Sequence, residues 1–328
     1  MSGSDKNLLV YIPCHSDLDL AITQAQKIRT EFSTYANQKY RLISKIEIVI
    51  SLNFYDPSQS QLELAASISD LTINRGKLFL ADANIANGFM VAYQRKADFL
   101  WMLSANDELI DLGFLKIISS LSNDIDLLVT GIHKPEKLKL INNVIYPAMN
   151  GYSFGLISGV VYNCQTLANF FNVADFFIWT GWSQLSVIQN AINGKNGLKV
   201  RTLDTFEIYK QRQTQSNLLS SKYGHSFYGY IILGYVFSST KNEKKRFVRA
   251  YVFTNTFNFL LYRRDSNKTS QVVDPNNYLV WNQDLAESII KRTSILLYCY
   301  YSIVSRLPFW FFGRILEYSK ERREKETH

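Results

Sequence analysis

The residues best suited to chemistry lie in one polar turn, residues 104–108, which reads Ser-Ala-Asn-Asp-Glu. The turn follows a short apolar run, Phe-Leu-Trp-Met-Leu over residues 99–103, and this run predicts a buried strand. Ligands of open α/β sheets bind beyond the carboxyl ends of the strands, and hard cations prefer oxygen ligands. The Asp107 carboxylate, next to the Asn106 amide, is therefore a candidate ligand for a hard cation such as Mg²⁺ or Mn²⁺. The alternative is that one of the two caps a helix beginning at Leu109.

The elements around this turn alternate between strand and helix. Apolar runs predict strands, and helical spacing of apolar residues predicts the helices between them. The predicted strands cover residues 8–13, 46–52, 77–80, 99–103 and 125–132, and the predicted helices cover residues 18–35, 61–71, 84–93 and 109–121. This alternation indicates an α/β fold with a mainly parallel, Rossmann-like sheet flanked by helices.

The pattern changes after residue 142. An edge strand is expected over residues 142–149, and a β-rich segment with two glycines follows over residues 153–162. Beyond residue 214 the chain becomes helical and aromatic. We therefore divide it into residues 1–210, which would hold the site, and a helical, basic and aromatic region over residues 211–328.

Composition excludes several classes of protein. The chain has 328 residues, is 47% hydrophobic, and contains three widely separated cysteines, which indicate neither a disulfide framework nor a zinc site. A reducing, cytoplasmic setting fits best, and the N-terminus does not resemble a signal peptide. The sequence lacks GxxxxGK[ST], GxGxxG and GxSxG motifs, so kinase, dinucleotide-binding and hydrolase interpretations lose their main signatures.

The net charge of +8 is spread unevenly along the chain. Residues 1–240 hold 20 basic and 19 acidic residues, whereas residues 241–328 hold 16 basic and 9 acidic residues. Within this basic part, residues 294–312 are rich in Leu, Tyr, Phe and Trp but are interrupted by Arg306 and Pro308. The segment predicts contact with an anionic membrane surface, and a packed helical subdomain is the alternative. Nucleic acid is a poor fit, because the aromatic residues cluster with aliphatic ones.

In order and spacing, these features resemble glycosyltransferases of the GT-A fold, of the inverting family 2 type that builds bacterial surface polysaccharides. The resemblance covers roughly residues 8–205 and rests on four segments. They are the first strand with its proline turn at residues 10–15, the strand at 47–51, the strand and DxD-type turn at 99–107, and the small-residue segment at 157–161.

The resemblance implies a nucleotide-sugar donor and a lipid-linked or glycan acceptor. The acceptor would be a polyprenyl-diphosphate-linked sugar used in O-antigen or capsule synthesis, met at the inner face of the cell membrane. A hexosyltransferase with an inverting mechanism is expected. The residues implied for the nucleotide sugar are Pro13, His15, Asn53, Asp56, Arg75, Ser104, Asn106 and Asp107, the last two also holding the metal. For Asp56, a helix cap is the alternative to a ribose contact.

The sequence departs from the family pattern at two places that matter for catalysis. The DxD trio falls on Ala105, Asn106 and Asp107, so only one carboxylate remains. The catalytic base of the family usually precedes a tryptophan, yet Thr180-Gly181 precede Trp182 here. Asp175 is the nearest acid in sequence, and Asp204 and Glu207 are later candidates. The missing acids also motivate a second hypothesis, a non-catalytic GT-A-like partner or scaffold subunit.

Overall fold

The computed structural model divides the chain into two compact units, Met1–Thr214 and Gln215–His328. It describes residues 6–14, 17–38, 41–53, 55–76, 81–105, 107–132, 144–145, 157–204, 208–211, 224–254 and 278–306. The predicted strand at 77–80 lies outside these ranges, as do His15, Asn106, Glu207 and the C-terminal residues 307–328.

The first unit is an α/β layer structure. Its strands are β1 Lys6–Cys14, β2 Ile43–Asn53, β3 Leu71–Gly76, β4 Phe99–Met102, β5 Asp107–Leu109, β6 Leu127–Ile132, β7 Val144–Ile145, β8 Val160–Asn163, β9 Leu198–Asp204 and β10 Tyr209–Gln211. Its main helices are α1 Leu18–Ala36, α2 Gln59–Ala66, α3 Ala81–Gln94, α4 Gly113–Ser120 and α7 Ser183–Lys195, with the one-turn helices α5 Cys164–Leu167 and α6 Val173–Phe176 before α7.

Eight of these strands form one sheet in the order β3-β2-β1-β4-β8-β6-β9-β7. β1, β2, β3 and β4 pair in parallel, as do β6 and β9. β8 runs antiparallel between β4 and β6, and β7 pairs antiparallel with β9 at the edge. The expected α/β class with a mainly parallel sheet covered by helices is confirmed.

Burial explains why the central strands β1 and β4 are mostly apolar. Strands buried on both faces read as continuous hydrophobic runs, and β1 and β4 have no exposed residue. Trp101 of β4 is fully buried and stacks on Phe114 of α4, with 6.1 Å between the ring centroids. The predicted strand at residues 99–103 is therefore confirmed as a central strand.

Two predicted helices differ from the structure, and one strand was not predicted. The helix predicted for residues 61–71 is the shorter α2, and β3 begins already at Leu71. The helix predicted from Leu109 is wrong at its start, because residues 107–109 form β5 and α4 begins at Gly113. Apolar spacing could not reveal β5, since the strand exists only through its pairing with β10, about 100 residues later.

The second unit contains four described helices: α8 Gly224–Phe237, α9 Lys241–Thr254, and the helices Tyr278–Thr293 and Ile295–Arg306. The helix Tyr278–Thr293 contacts the other three. Within the region predicted to be helical, residues 278–306 form two helices that are separated by Ser294. Among the described residues, no helix is long and apolar enough to cross a membrane.

Candidate functional site

The polar turn after β4 lies at the carboxyl edge of the sheet. β1, β2, β4, β6 and β9 all run in one direction, so their last residues reach the same edge. Asn53 ends β2, Asp204 ends β9, and Ser104 follows β4 by two residues. Open α/β sheets bind their ligands at this edge, so the fold places the predicted turn where a ligand site belongs.

The backbone at Asp107 is held from two sides. β5 pairs antiparallel with β10, with Asp107 opposite Gln211. From the other side, the buried Gln24 of α1 donates its amide to the Asp107 carbonyl at 2.6 Å and accepts the Leu109 N–H at 3.2 Å. The Gln24 side chain thus makes the backbone hydrogen bonds that a neighbouring strand would otherwise make, and these fix the backbone position of Asp107.

The Asp107 carboxylate is itself held by Ser158. The Ser158 hydroxyl donates to Asp107 Oδ2 and accepts the Ser104 N–H at 2.9 Å. The carbonyl of the fully buried Ser158 accepts the Trp101 indole N–H and the Thr130 hydroxyl, each at 3.0 Å. Ser158 therefore joins the turn after β4, the strand β6 and its own segment before β8 in one hydrogen-bonded unit.

Burial dominates the electrostatics of this carboxylate. It raises the pKa of Asp107 to about 6, and the hydrogen bond from Ser158 opposes that increase. The pKa of the Tyr209 hydroxyl is also raised, by burial and by the nearby charge of Asp107. Asp107 is therefore an acid that changes charge close to neutral pH, a property that is concentrated at functional sites.

A second polar cluster lies where β1, β2 and α3 meet. The Tyr11 hydroxyl donates to Asn84 Oδ1 at 2.6 Å, and Asn87 donates to the same hydroxyl at 2.9 Å. Asn84 also donates to the Ser51 carbonyl at 3.2 Å. A Cβ on Gly88 would lie 2.9 Å from the Tyr11 ring, so glycine is what admits this tyrosine against α3.

The residues implied for the nucleotide sugar differ in their accessibility. Pro13 and Asn53 are buried at the ends of β1 and β2, whereas Asp56 and Arg75 are exposed. The helix-cap interpretation of Asp56 is wrong. Ser58 caps α2, through a capping box with Gln61 in which each side chain bonds the other's backbone N–H.

Two of the acids considered as a catalytic base lie within the described residues. Asp175 is exposed on the one-turn helix α6. The residue after it, Phe176, is also 70% exposed. Asp204 ends β9 in register with Ile132, at the same edge of the sheet as the polar turn. Asp204 is therefore the acid that the topology brings to the edge where Asp107 lies.

The oxygen atoms near Asp107 decide whether this site suits the expected metal. Among the described residues no group of three or more His, Cys, Asp or Glu could hold an ion. Asp107 provides a carboxylate, and the Ser158 hydroxyl oxygen lies beside it. These hard oxygen ligands are of the type that Mg²⁺ and Mn²⁺ prefer. They fit a cation that draws its remaining ligands from a bound diphosphate and water.

Sequence reasoning missed the residues that position the site. Gln24 looked like part of the polar face of a helix, and Ser158 looked like one small residue in a small-residue segment. Their contacts with Asp107, Leu109 and Ser104 span 51 to 85 residues of sequence. Their residue types were informative, because a buried serine or glutamine requires hydrogen-bond partners.

Comparison with known proteins identifies the class of fold. No protein-family model matches the sequence, and no curated protein matches it. Two solved structures of S. aureus TarS 1–349, one of them in complex with UDP, superpose with a TM-score of 0.51 at 12% identity. Each match covers 91% of this chain and 88% of the TarS chain. TarS is a GT-A-type glycosyltransferase, so this chain has a GT-A-like fold, as the sequence predicted.

Proposed function

We propose that the protein is a glycosyltransferase that moves a sugar from a nucleotide-sugar donor to a glycan or lipid-linked acceptor. The observation that carries the proposal is the Asp107 carboxylate, which a GT-A-like sheet holds at its carboxyl edge in the turn after β4. A site built from buried, mutually hydrogen-bonded groups is preorganised, and preorganised polar groups stabilise charge that develops during a reaction. UDP is the first nucleotide to test, because a matching TarS structure contains it.

The proposal gives the residues of the turn distinct roles. Asp107, together with Asn106, would hold Mg²⁺ or Mn²⁺ against the donor diphosphate, and this cation would neutralise the departing charge. Ser158 would orient the carboxylate through its hydrogen bond. The nucleoside would lie towards β1 and β2, near Pro13, His15 and Asn53, with Asp56 and Arg75 at the rim.

An inverting transfer of a hexose needs a general base beside the acceptor hydroxyl. Asp175 is the proposed base from its place in the sequence, and Asp204 is the competing candidate from its place at the sheet edge. Asp175→Asn and Asp204→Asn separate the two. The variant that lacks the base should lose turnover by about 10²-fold or more while its affinity for the donor stays unchanged.

We further propose that the acceptor belongs to bacterial surface polysaccharide synthesis, as O-antigen and capsule precursors do. Such acceptors are carried on polyprenyl diphosphate, which places the reaction at the cytoplasmic face of the cell membrane. The basic, aromatic second unit supports a peripheral contact with that membrane. Transfer to a polyprenyl-diphosphate acceptor in vesicles, measured for several nucleotide sugars, tests this part of the proposal.

The experiment that tests the donor site is a titration of the full chain with UDP and Mn²⁺, followed by transfer assays with UDP-sugars. Asp107→Ala should weaken UDP binding and lower turnover by about 10²-fold or more. Ser158→Ala should weaken donor binding about tenfold, because it removes a hydrogen bond to a charged group. Asp111→Asn is the matched control, since this carboxylate is 98% exposed and pairs with Lys27.

A non-catalytic partner or scaffold subunit is the second candidate. It is favoured by the degenerate DxD-type trio at residues 105–107, whose one carboxylate, Asp107, already accepts a hydrogen bond from within the protein. If the wild-type chain neither binds nor hydrolyses any of a panel of nucleotide sugars with Mn²⁺, the enzyme proposal fails and this candidate stands. If UDP binds but Asp107→Ala behaves like wild type, the nucleotide site lies elsewhere.

A further inference from the structure

The helix Ile295–Arg306 has two apolar faces. Its inner face, with Leu297, Tyr301 and Ser305, is buried in the second unit. The opposite side, here called the outer face, consists of Ile295, Leu296, Cys299 and Ile303. Leu296 is 79% exposed, Ile303 is 62% exposed and Ile295 is 58% exposed. A surface helix normally turns a polar face to water, so the outer face of this helix requires an explanation.

The outer face extends onto the neighbouring helix α9. Tyr300, one position beyond Cys299, packs on Phe253 with 5.0 Å between the ring centroids. Phe253 is itself 48% exposed. Contiguous exposed apolar surface of this kind marks interaction sites in folded proteins. The exposed apolar surface therefore includes residues of two helices and is larger than a single exposed leucine.

Basic residues border this apolar surface. The Arg249 guanidinium lies 5.9 Å from the centre of the Phe253 ring, and the Lys291 ammonium lies 5.8 Å from that of Tyr298. Lys291 and Arg292 are both exposed at the end of the preceding helix. No acidic residue occurs in the sequence from residue 288 to residue 316, whereas Lys291, Arg292, Arg306 and Arg314 do. The partner that fits is apolar at its centre and negatively charged around it.

We propose that the outer face of the helix Ile295–Arg306, with Phe253, is a docking surface for a bilayer that contains anionic lipid. Leucine, isoleucine and phenylalanine would enter the boundary between headgroups and acyl chains while lysine and arginine contact the anionic headgroups. The sequence that follows, Leu-Pro-Phe-Trp-Phe-Phe over residues 307–312, has the composition of an interfacial segment. A second copy of the chain fits less well, because a two-fold contact would bring the basic borders of both copies together.

The surface would supply the membrane contact that the proposed function needs, but the inference stands on the exposed face alone. Vesicle binding is measured without nucleotide or acceptor. Failure of the inference therefore leaves the transfer reaction standing, and failure of transfer leaves the membrane surface standing.

The test is sedimentation of the full chain with vesicles of phosphatidylcholine alone or with added phosphatidylglycerol. We expect binding to the anionic vesicles that weakens with salt. The double variant Leu296→Gln/Ile303→Gln should reduce partitioning by about tenfold or more, because two large apolar side chains no longer leave water. Leu64→Gln is the matched control, an exposed leucine on α2 of the first unit, and it should bind like wild type.

A second pair of substitutions separates charge from apolar contact. Lys291→Gln/Arg292→Gln should weaken binding to anionic vesicles and remove part of its salt dependence, since each basic residue near the surface contributes electrostatic attraction. All of these positions are exposed, so the variants should keep the circular dichroism spectrum and melting temperature of wild type.

Three results would overturn the proposal. The first is a wild-type chain that binds neither kind of vesicle, and the second is a double variant that binds as well as wild type. The third is a wild-type dimer by light scattering that the double variant converts to a monomer, which would make the outer face an interface between copies.

Discussion

Replacing Asp107 by asparagine should make the protein more stable at neutral pH, although the change falls in the proposed site. Burial raises the pKa of Asp107 to about 6 from an ordinary 3.8. The folded chain therefore holds a proton on this carboxyl over a pH range in which the unfolded chain has lost it. Wherever the folded state binds more protons, the free energy of unfolding falls as pH rises.

The size of the effect follows from the pKa. One pKa unit corresponds to about 1.4 kcal/mol, so the full change corresponds to about 3 kcal/mol. Asp107 is partly accessible to water, which screens some of this cost, so we expect about 1 to 3 kcal/mol. The loss in the free energy of unfolding should begin near pH 4, increase up to about pH 6 and stay constant above it. Asparagine carries no charge, so Asp107→Asn should not show this loss.

The assay is urea unfolding of wild type and Asp107→Asn between pH 4.5 and 8, in EDTA and without nucleotide. Asp126→Asn is the matched control with the opposite sign. Its carboxylate is buried, which acts to raise its pKa, but the Lys195 ammonium and the Lys199 N–H, among other donors, hold the pKa of Asp126 below its ordinary value. Asp126 therefore stabilises the fold above the unfolded-state pKa, and its replacement should destabilise the protein at neutral pH.

The reasoning about Asp107 is refuted if its variant is less stable than wild type at pH 7.5. It is equally refuted if the difference between the two proteins does not change from pH 4.5 to pH 8.

Two further predictions concern the elements that hold the site. Glu31→Gln should lower the free energy of unfolding by about 1 to 3 kcal/mol, because the buried Glu31 carboxylate accepts two backbone N–H groups at the start of α4. The exposed Glu63→Gln should change it little in the same urea titration. Gly113→Ala should cost more than about 2 kcal/mol, because its Cβ would lie 2.3 Å from the Ile208 carbonyl oxygen. The prediction would be contradicted if Gly113→Ala unfolded at the same urea concentration as wild type.

The sheet could be predicted from sequence because its strands are locally distinctive. β1, β2, β4 and β6 contain apolar runs rich in β-branched or aromatic residues, and each is followed by a helix or a polar turn. The order of the elements alone then indicated a parallel sheet. These features depend on residues that are neighbours in the chain, so they can be predicted from the sequence.

The position of the turn at the sheet edge was also predictable, but its conformation was not. The alternative that Asn106 or Asp107 caps a helix is wrong, because Asp107 begins β5 and α4 starts four residues after Leu109. β5 is defined by its partner β10 and by Gln24 of α1. Contacts between residues so far apart leave no periodic signal. The Asp56 cap could not be rejected from spacing, since Asp56 and Gln59 have the same capping-box spacing as Ser58 and Gln61.

The same carboxylate links stability to the proposed chemistry. At pH 7.5 Asp107 is mostly ionised although it is poorly solvated, with Ser158 as the donor that favours its charged form. A cation and a diphosphate bound there would supply the missing stabilisation. Ligand at one hundred times its dissociation constant stabilises the folded state by about 2.7 kcal/mol, which is as large as the cost of the charge.

Adding Mn²⁺ and UDP should therefore make wild type more stable than Asp107→Asn at pH 7.5, the reverse of the order without ligand. Wild type should gain stability, whereas Asp107→Asn should gain little, because an amide oxygen binds a hard cation more weakly than a carboxylate does. Asp111→Asn should respond like wild type. Equal gains for wild type and Asp107→Asn would show that the nucleotide binds away from this turn, and the burial of Asp107 would then need another explanation. Asp107 would then lower the stability of the free protein and raise that of the liganded protein. This is expected of a binding site, since functional sites in natural proteins are commonly less stable than the rest of the fold.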